Sequence, residues 1–262
     1  MLGAIIGDIV GSIYEPKDSR IKTKDFPLFS DNCRFTDDSV CTTAVADALL
    51  HNLPPAETMR KWGRRYPNCG FSQIFKQWIA SEADTPNCTL RNGAAMRVSP
   101  TAFLNRDDLN AALLDAEKVT VISHDHPEGV KGAQATTHAI WLAYRGESVA
   151  SIREVITTEY GYDLTQTVDA IRSDYAFDMT CPGTVPPAVT CALESEDYED
   201  AVRNAISLGG DSDTLGAIAG AIAEALHGIP EAIKTEAENR FLLPKAPDIV
   251  ELIREMYRTV NN

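Results

Sequence analysis

The spacing of apolar residues constrains the fold most, because it repeats at helical intervals over much of the chain. Val40, Ala44, Val45 and Ala48 would share one face of a helix. The same periodicity covers six further segments: 107–119, 130–144, 149–160, 200–208, 213–227 and 248–260. Residues 118–123 are β-branched and could form either a strand or the end of a helix. Strand signals neither alternate with helices nor recur regularly, so the sequence predicts an all-α fold.

No linker or low-complexity tract divides the 262 residues, so we expect one domain over residues 1–262. The formal net charge of −14 argues against nucleic acids and anionic membranes as partners. Residues 1–10 are apolar but too few to span a bilayer, and no basic region accompanies them. None of the six cysteines forms a C-x-x-C pair. We therefore expect a cytoplasmic protein with reduced thiols. We also expect the protein to be a monomer.

Glycines recur in two segments at opposite ends of the sequence. Gly3, Gly7 and Gly11 stand in an apolar run, and Gly216 and Gly220 stand inside a predicted helix. Glycine lowers helix propensity, so its repeated use indicates close packing against a neighbouring backbone. The first run also resembles a dinucleotide-binding glycine fingerprint, but the strand-turn-helix context that such a fingerprint needs is missing.

Two acidic clusters directly precede helices. They are Thr36-Asp37-Asp38-Ser39 and Asp211-Ser212-Asp213-Thr214. Such residues commonly serve as N-caps, and for one cluster alone capping is the favoured interpretation. Capping uses one side chain, however, whereas each cluster supplies several, and crowded carboxylates without a cation repel one another. Brought together, the clusters could hold one or two Mg²⁺ or Mn²⁺ ions, which prefer oxygen ligands.

Three further polar features are candidates for a site. Glu15 follows the first glycine run, and its simpler interpretation is an exposed carboxylate at a helix end. Segment 91–97 offers backbone N–H groups at a glycine turn, which suit a phosphate, although a turn that opens a helix accounts for it equally. His124 and His126 lack a third zinc ligand at a known spacing. His124 is therefore better explained as a substrate contact at a loop-to-helix junction.

In this order, the motifs resemble those of the ADP-ribosylglycohydrolase family, the group that includes dinitrogenase-reductase-activating glycohydrolase. The resemblance runs nearly end to end. It consists of G-D-x-x-G-S at 7–12 with Glu15 following, F-T-D-D-S at 35–39, N-G-A-A-M-R at 92–97, S-H-D-H-P-E-G at 123–129 and G-G-D-S-D-T at 209–214. Arg91 is a departure, because the family commonly has glycine there. Its side chain could pair with a phosphate or crowd the loop.

The resemblance implies a single-domain, orthogonal all-α bundle whose cleft holds two Mg²⁺ or Mn²⁺ ions. The implied metal ligands are Thr36, Asp37, Asp38, Asp211, Asp213 and Thr214. Glu15 would gate the cleft and, with Asp37 and Asp38, is an implied catalytic residue. The implied substrate contacts are Asn92, Gly93, Ala94 and Ala95 around a diphosphate, and His124 beside a ribose.

The resemblance also implies a reaction, hydrolysis of the glycosidic bond between ADP-ribose and an acceptor. The substrate would be an ADP-ribosylated protein or small molecule, arginine-linked by family association. Asp37 or Asp38 would take the proton of the attacking water. Two alternatives stay open, namely another binuclear-metal hydrolase such as a phosphoesterase, and a non-catalytic ADP-ribose-binding protein. The aromatic candidates for stacking on adenine are Tyr66, Phe71, Trp78 and Trp141, each of which a packed core explains equally well.

Overall fold

The regular structure of the protein is helical throughout the residues that the computed structural model describes, 1–82, 86 and 88–261. Within these ranges the only β pairing is one isolated bridge between Arg91 and Thr180. The helices are α1 (Leu2–Gly11), α2 (Asp37–Leu50), α3 (Pro55–Arg65), α4 (Gln73–Ala80), α5 (Ser99–Leu104), α6 (Leu109–Thr120), α7 (Pro127–Tyr144), α8 (Val149–Tyr160), α9 (Val168–Asp174), α10 (Cys181–Leu193), α11 (Tyr198–Ile206), α12 (Ser212–His227), α13 (Glu231–Ala237) and α14 (Pro247–Asn261). Short 3-10 turns lie at Lys17–Ser19 and Asn92–Ala94. A π-helical turn lies at Glu238–Leu242. The all-α prediction is confirmed, and no described helix has both the length and the apolar character needed to cross a membrane.

The core is built around α12, which packs against α1, α7, α10 and α11. Every residue of α1 is buried, and so is every residue of α12 from 212 to 224. A helix that is apolar on all sides belongs in the interior, because only there can all its faces be removed from water. Two helices that are far apart in the sequence, α1 and α12, therefore form the centre of the fold.

The glycines predicted to permit close packing lie at the crossing of α1 and α12, which run antiparallel. A Cβ built on Gly7 would lie 1.9 Å from the carbonyl oxygen of Gly216, and one on Gly3 would lie 2.3 Å from that of Gly220. Gly11 meets the Ser212 backbone in the same way, at 2.3 Å. Any larger side chain would force the helices apart, so the prediction of close backbone packing is confirmed.

The seven periodic segments all form helices. Residues 118–123, which could have formed a strand, include the end of α6. Lys118 to Thr120 complete α6, and a turn follows. The predicted segments do not include α3, although it has a buried and an exposed face, or α10. Helix α10 contains Pro186 and Pro187 in its interior, where proline removes backbone donors and disfavours a helix. Burial of most of its residues in the core stabilises α10 against that preference.

The close α1–α12 crossing decides where the two acidic clusters stand. Because α1 and α12 are antiparallel, the end of α1 lies beside the first turn of α12. Helix α2 packs against α1 and α12, and its first turn carries Asp37 and Asp38. The N-terminal turns of α2 and α12 therefore meet near Asp8.

Candidate active site

A cavity of about 290 Å³ opens where these helix ends meet, and it gathers most of the predicted site residues. Ten of the twelve line its wall: Glu15, Thr36, Asp37, Asp38, Asn92, Gly93, His124, Asp211, Asp213 and Thr214. The other two, Ala94 and Ala95, are buried and do not line it. The fold thus brings together residues separated by about 200 positions in sequence.

The first acidic cluster is held by a carboxylate that sequence patterns did not single out as a site residue. Asp8 accepts hydrogen bonds from the Thr36 backbone N–H at 2.9 Å and from the Thr36 hydroxyl at 2.7 Å. It also accepts from the Ser39 N–H at 3.1 Å and from the Ser39 hydroxyl. Thr36 is the N-cap of α2, as the capping interpretation requires, and accepts from the Asp38 N–H. Asp37 and Asp38 are therefore left free of the capping role.

The second cluster does not use its leading aspartate as a cap. Asp211 stands at the N-cap position of α12, but its side chain makes no capping hydrogen bond. Its Oδ2 accepts instead from the Asn92 amide at 2.7 Å, and that amide also donates to Thr184 Oγ1 at 3.0 Å. Asn92, expected around a diphosphate, thus ties the central loop to Asp211 in this structure.

Burial and mutual repulsion favour protonation of the clustered carboxylates. Burial raises the pKa of Asp8 to about 6, and burial followed by the charge of Asp8 raises that of Asp37 to about 8. The pKa of Asp38 lies well above its ordinary value for the same two reasons. Burial, then the charges of Asp211 and Asp38, raises the pKa of Asp213 similarly. A cation among these groups would relieve the repulsion.

The donor set fits a hard divalent cation. Ligand atoms of Asp8, Asp38 and Asp213 lie within 4.8 Å of one another, and so do those of Glu15, Asp211 and Asp213. Asp38 Oδ1 is buried and has no hydrogen-bond partner in the described structure, which is costly for a carboxylate oxygen without a cation. Carboxylate and hydroxyl oxygens are the ligands that Mg²⁺ and Mn²⁺ prefer.

Glu15 reaches the cavity from the turn after α1 and is half-buried there. Burial, then the charge of Asp211, raises its pKa. Its carbonyl accepts a hydrogen bond from Arg20 Nε at 3.0 Å, and the Arg20 guanidinium lies over the Phe177 ring at 4.1 Å. The segment that carries Glu15 is thereby joined to the segment before α10.

The backbone N–H groups predicted to receive a diphosphate are mostly used within the protein. Asn92 donates its N–H to Met179, Ala94 donates to Arg91 at 3.2 Å, and Ala95 donates to Asn92 at 2.8 Å. Of the four predicted loop residues, only Asn92 and Gly93 line the cavity. The substrate roles of the loop stay predictions, and the Arg91 side chain also borders the cavity.

The aromatic ring that borders the cavity is Phe75, which the sequence reasoning missed. Phe75 is 8% exposed and stacks between Phe71 and Trp78, with ring centroids 5.6 and 5.3 Å away. The named adenine candidates, including Phe71 and Trp78, do not line the cavity. Phe75 has no distinctive motif in the sequence. Its only signal is its place one helical turn from both Phe71 and Trp78, which marks a shared face without showing what that face meets.

A family model described as ADP-ribosylglycohydrolase matches residues 1–261. The ADP-ribosylarginine hydrolase Tri1 of Pseudomonas putida (strain GB-1) is 25% identical, over 98% of this chain and 80% of its own length. The ADP-ribosylhydrolase ARH3 of Homo sapiens is 23% identical, over 91% of this chain and 88% of its own. A solved chain described as ADP-ribosylglycohydrolase-related protein complex shares the fold, with a TM-score of 0.72 at 20% identity, covering 99% of this chain and 95% of that one.

Proposed function

Because the chain belongs to the ADP-ribosylglycohydrolase family, we propose that it hydrolyses the glycosidic bond between ADP-ribose and an acceptor, with arginine-linked ADP-ribose as the favoured substrate. The strongest support for the proposal is a group of acidic side chains in the cavity. Five carboxylates reach one cavity from three parts of the chain, and they are Glu15, Asp37, Asp38, Asp211 and Asp213. Concentrating this much negative charge costs stability, and a catalytic cation site gives it a purpose.

Two divalent cations, Mg²⁺ or Mn²⁺, are the proposed cofactors. Their holders would be the six oxygen-bearing residues Thr36, Asp37, Asp38, Asp211, Asp213 and Thr214, all at the cavity wall. When bound, such ions supply Lewis acidity and orient substrate oxygens. The orphaned Oδ1 of Asp38 supports this assignment, because a buried carboxylate oxygen otherwise requires a donor.

Asp37 is the proposed proton acceptor of the reaction, since a bound cation would lower its raised pKa and keep the carboxylate ionised. It is only partly buried, whereas Asp38 is 3% exposed, so Asp37 is the better placed of the two to meet a water in the cavity. Gly70 lets the chain pass close to it, since a Cβ there would lie 3.0 Å from Asp37 Oδ1. Water would form a bond to the anomeric carbon and lose a proton to Asp37. The bond to the acceptor would break with its electron pair leaving on the acceptor atom, which would then take up the proton that Asp37 had removed from the water.

Arginine linkage is favoured by charge as well as by resemblance. A relative covering most of this chain is named an ADP-ribosylarginine hydrolase. A guanidinium-linked acceptor is cationic, and the chain carries a net charge of −14 with acidic side chains at the cavity. The guanidinium offsets part of the negative charge of the diphosphate, so the acidic cavity would repel such a substrate less than one with an uncharged acceptor.

The test is product analysis with defined substrates in which ADP-ribose is linked to arginine, serine or a nucleotide end. We expect Mg²⁺- or Mn²⁺-dependent release of intact ADP-ribose, fastest from arginine, and loss of release with a chelator. Asp213→Asn should lower the rate at least about a hundredfold, because it removes a central ligand group. Asp107→Asn is the matched control, since that side chain is 94% exposed. Release of AMP would indicate a phosphoesterase, and binding without turnover would indicate a non-catalytic protein; either result would refute the proposal.

A further inference from the structure

The two ring nitrogens of His124 lie in different surroundings. Nδ1 is 2.8 Å from the hydroxyl oxygen of Ser123. Nε2 has no hydrogen-bond partner among the described residues. The side chain is 7% exposed and lines the cavity. One nitrogen is thus tied to the protein, and the other is free to meet a ligand.

The Ser123 hydroxyl is itself held by a buried arginine. Arg97 is 0% exposed, and its Nη2 donates to Ser123 Oγ at 2.9 Å. The same nitrogen donates to the carbonyls of Val119 and Thr120 at the end of α6, at 3.1 and 3.3 Å. The two N–H groups of Nη2 are thus shared among three acceptors, of which the Ser123 oxygen is the nearest.

The direction of the protons follows from the chemistry of the three groups. A guanidinium only donates hydrogen bonds, so Ser123 accepts from Arg97 and its own proton is available for His124 Nδ1. If Nδ1 carried a proton instead, the Ser123 hydroxyl proton would have no acceptor among the described residues. A neutral imidazole that accepts at Nδ1 carries its proton on Nε2. Burial, followed by the charge of Arg97, lowers the pKa of His124 well below its usual range, which keeps the ring neutral.

Gly93 leaves the Nε2 side of the ring accessible. A Cβ built at this position would lie 3.0 Å from His124 Nε2 and 3.3 Å from its Cε1. Any side chain there would therefore press on the edge of the ring that carries the proton. Glycine keeps that edge open to the cavity, where both residues stand in the wall.

We propose that Arg97 and Ser123 are positioning residues that fix His124 as the neutral Nε2–H tautomer, so that His124 donates a hydrogen bond to an oxygen of the substrate. This assignment rests on the proposed function for the identity of that substrate, an ADP-ribosyl group. It also gives His124 a defined chemical role, because a nitrogen that carries its proton into the cavity is a donor and not a general base.

The tautomer is measurable without any activity. Protein labelled with ¹⁵N-histidine is examined by long-range ¹H–¹⁵N correlation near neutral pH, and His124→Gln identifies the His124 signals by their absence. We expect the Nε2–H pattern in the wild-type protein. Ser123→Ala should give a mixture of tautomers, whereas Ser99→Ala should leave the pattern unchanged. Ser99 is the matched control because its hydroxyl is buried and has no hydrogen-bond partner. An Nδ1–H or imidazolium pattern in the wild type, or no change in Ser123→Ala, would overturn the proposal.

Kinetics on the substrate that the wild-type protein cleaves best test the role of the donor. His124→Gln retains an N–H near the position of Nε2, and it should keep kcat/KM within about tenfold of wild type. His124→Ala should lose about a hundredfold, the usual effect of removing one donor from a site. Ser123→Ala should lose roughly tenfold. If His124→Gln is as inactive as His124→Ala, the donor role is wrong.

The two proposals fail in different ways. If wild-type protein releases no ADP-ribose from any substrate but shows the Nε2–H pattern, the proposed function fails and the positioning of His124 stands. If it releases ADP-ribose and shows Nδ1–H, the function stands and the positioning by Ser123 and Arg97 fails.

Discussion

Gly7→Ala tests whether the closeness of α1 and α12 sustains both the fold and the site. An alanine Cβ would lie 1.9 Å from the carbonyl oxygen of Gly216, where ordinary contact begins at 3.4 Å, so the helices must separate locally by about 1.5 Å. The obstructing atoms are backbone and cannot rotate away. Overpacking of this kind costs about 3 kcal/mol, and the better helix propensity of alanine returns about 1 kcal/mol. We therefore expect a net loss of about 2 kcal/mol, or a Tm lower by about 4–8 °C.

Thermal and urea unfolding measure this loss, and Gly63→Ala is the matched control. Gly63 also lies within a helix, but the nearest atom to its added Cβ is Ile79 Cδ1 at 2.6 Å, which is the end of a flexible side chain. The control should stay within about 0.5 kcal/mol of wild type. Since Gly7 adjoins Asp8, the shifted helix should also weaken the response of Tm to Mn²⁺. Equal stabilities of Gly7→Ala and wild type, or equal losses in both variants, would show that the crossing does not depend on glycine.

Three further outcomes are expected. The pKa of Asp37 is raised from 3.8 to about 8, so the folded chain binds more protons than the unfolded chain and loses stability as pH rises between these values. Mn²⁺ requires the ionised form and should raise Tm more at about pH 8 than at about pH 5.5; equal shifts would refute this. Phe75→Leu should weaken calorimetric binding of ADP-ribose roughly tenfold if the ring stacks on adenine, whereas Ile74→Ala, at an exposed position, should not. Lys22 donates hydrogen bonds to three carbonyls near the ends of α9 and α11. Lys22→Met should therefore lower the free energy of unfolding in urea by about 1–2 kcal/mol, whereas Lys76→Met, at an exposed position, should leave it unchanged.

Periodicity predicts several of the helices that have one solvated face, and a local pattern fails where burial overrides local preference. Segment 149–160 matches α8 residue for residue, because α8 alternates core and surface at helical spacing. Helix α10 carries two internal prolines and is held by the core, which no local pattern reports. The glycine runs predicted close packing, but only the structure pairs Gly7 with Gly216. Which distant residues meet depends on how the whole chain packs, and a local sequence pattern does not report it.

Residue type and position before a helix were enough to find both acidic clusters. They were not enough to find the residues that hold the site residues in place. Asp8 was part of a recognised motif, yet its four hydrogen bonds to Thr36 and Ser39 depend on how α1 crosses α2. Similarly, His124 stood out in a polar segment, whereas Arg97 was only the last residue of the N-G-A-A-M-R motif and had no role assigned to it. A supporting residue has no chemical signature of its own, because its role is defined by the neighbour that it holds.

The crowded carboxylates of the site depend on the close packing of the helices that carry them. Carboxylates that repel one another would separate if the helices that bear them could move, because even a small increase in distance lowers the Coulomb energy. The α1–α12 crossing opposes this, since separating the two helices would break the close packing of their backbones at Gly3, Gly7 and Gly11. Asp8 adds a second restraint by bonding the start of α2 to α1. The packing energy of the two central helices thus maintains a concentration of acidic groups that the chain would otherwise disperse, and the proposed divalent cations would then bind without rearranging the fold.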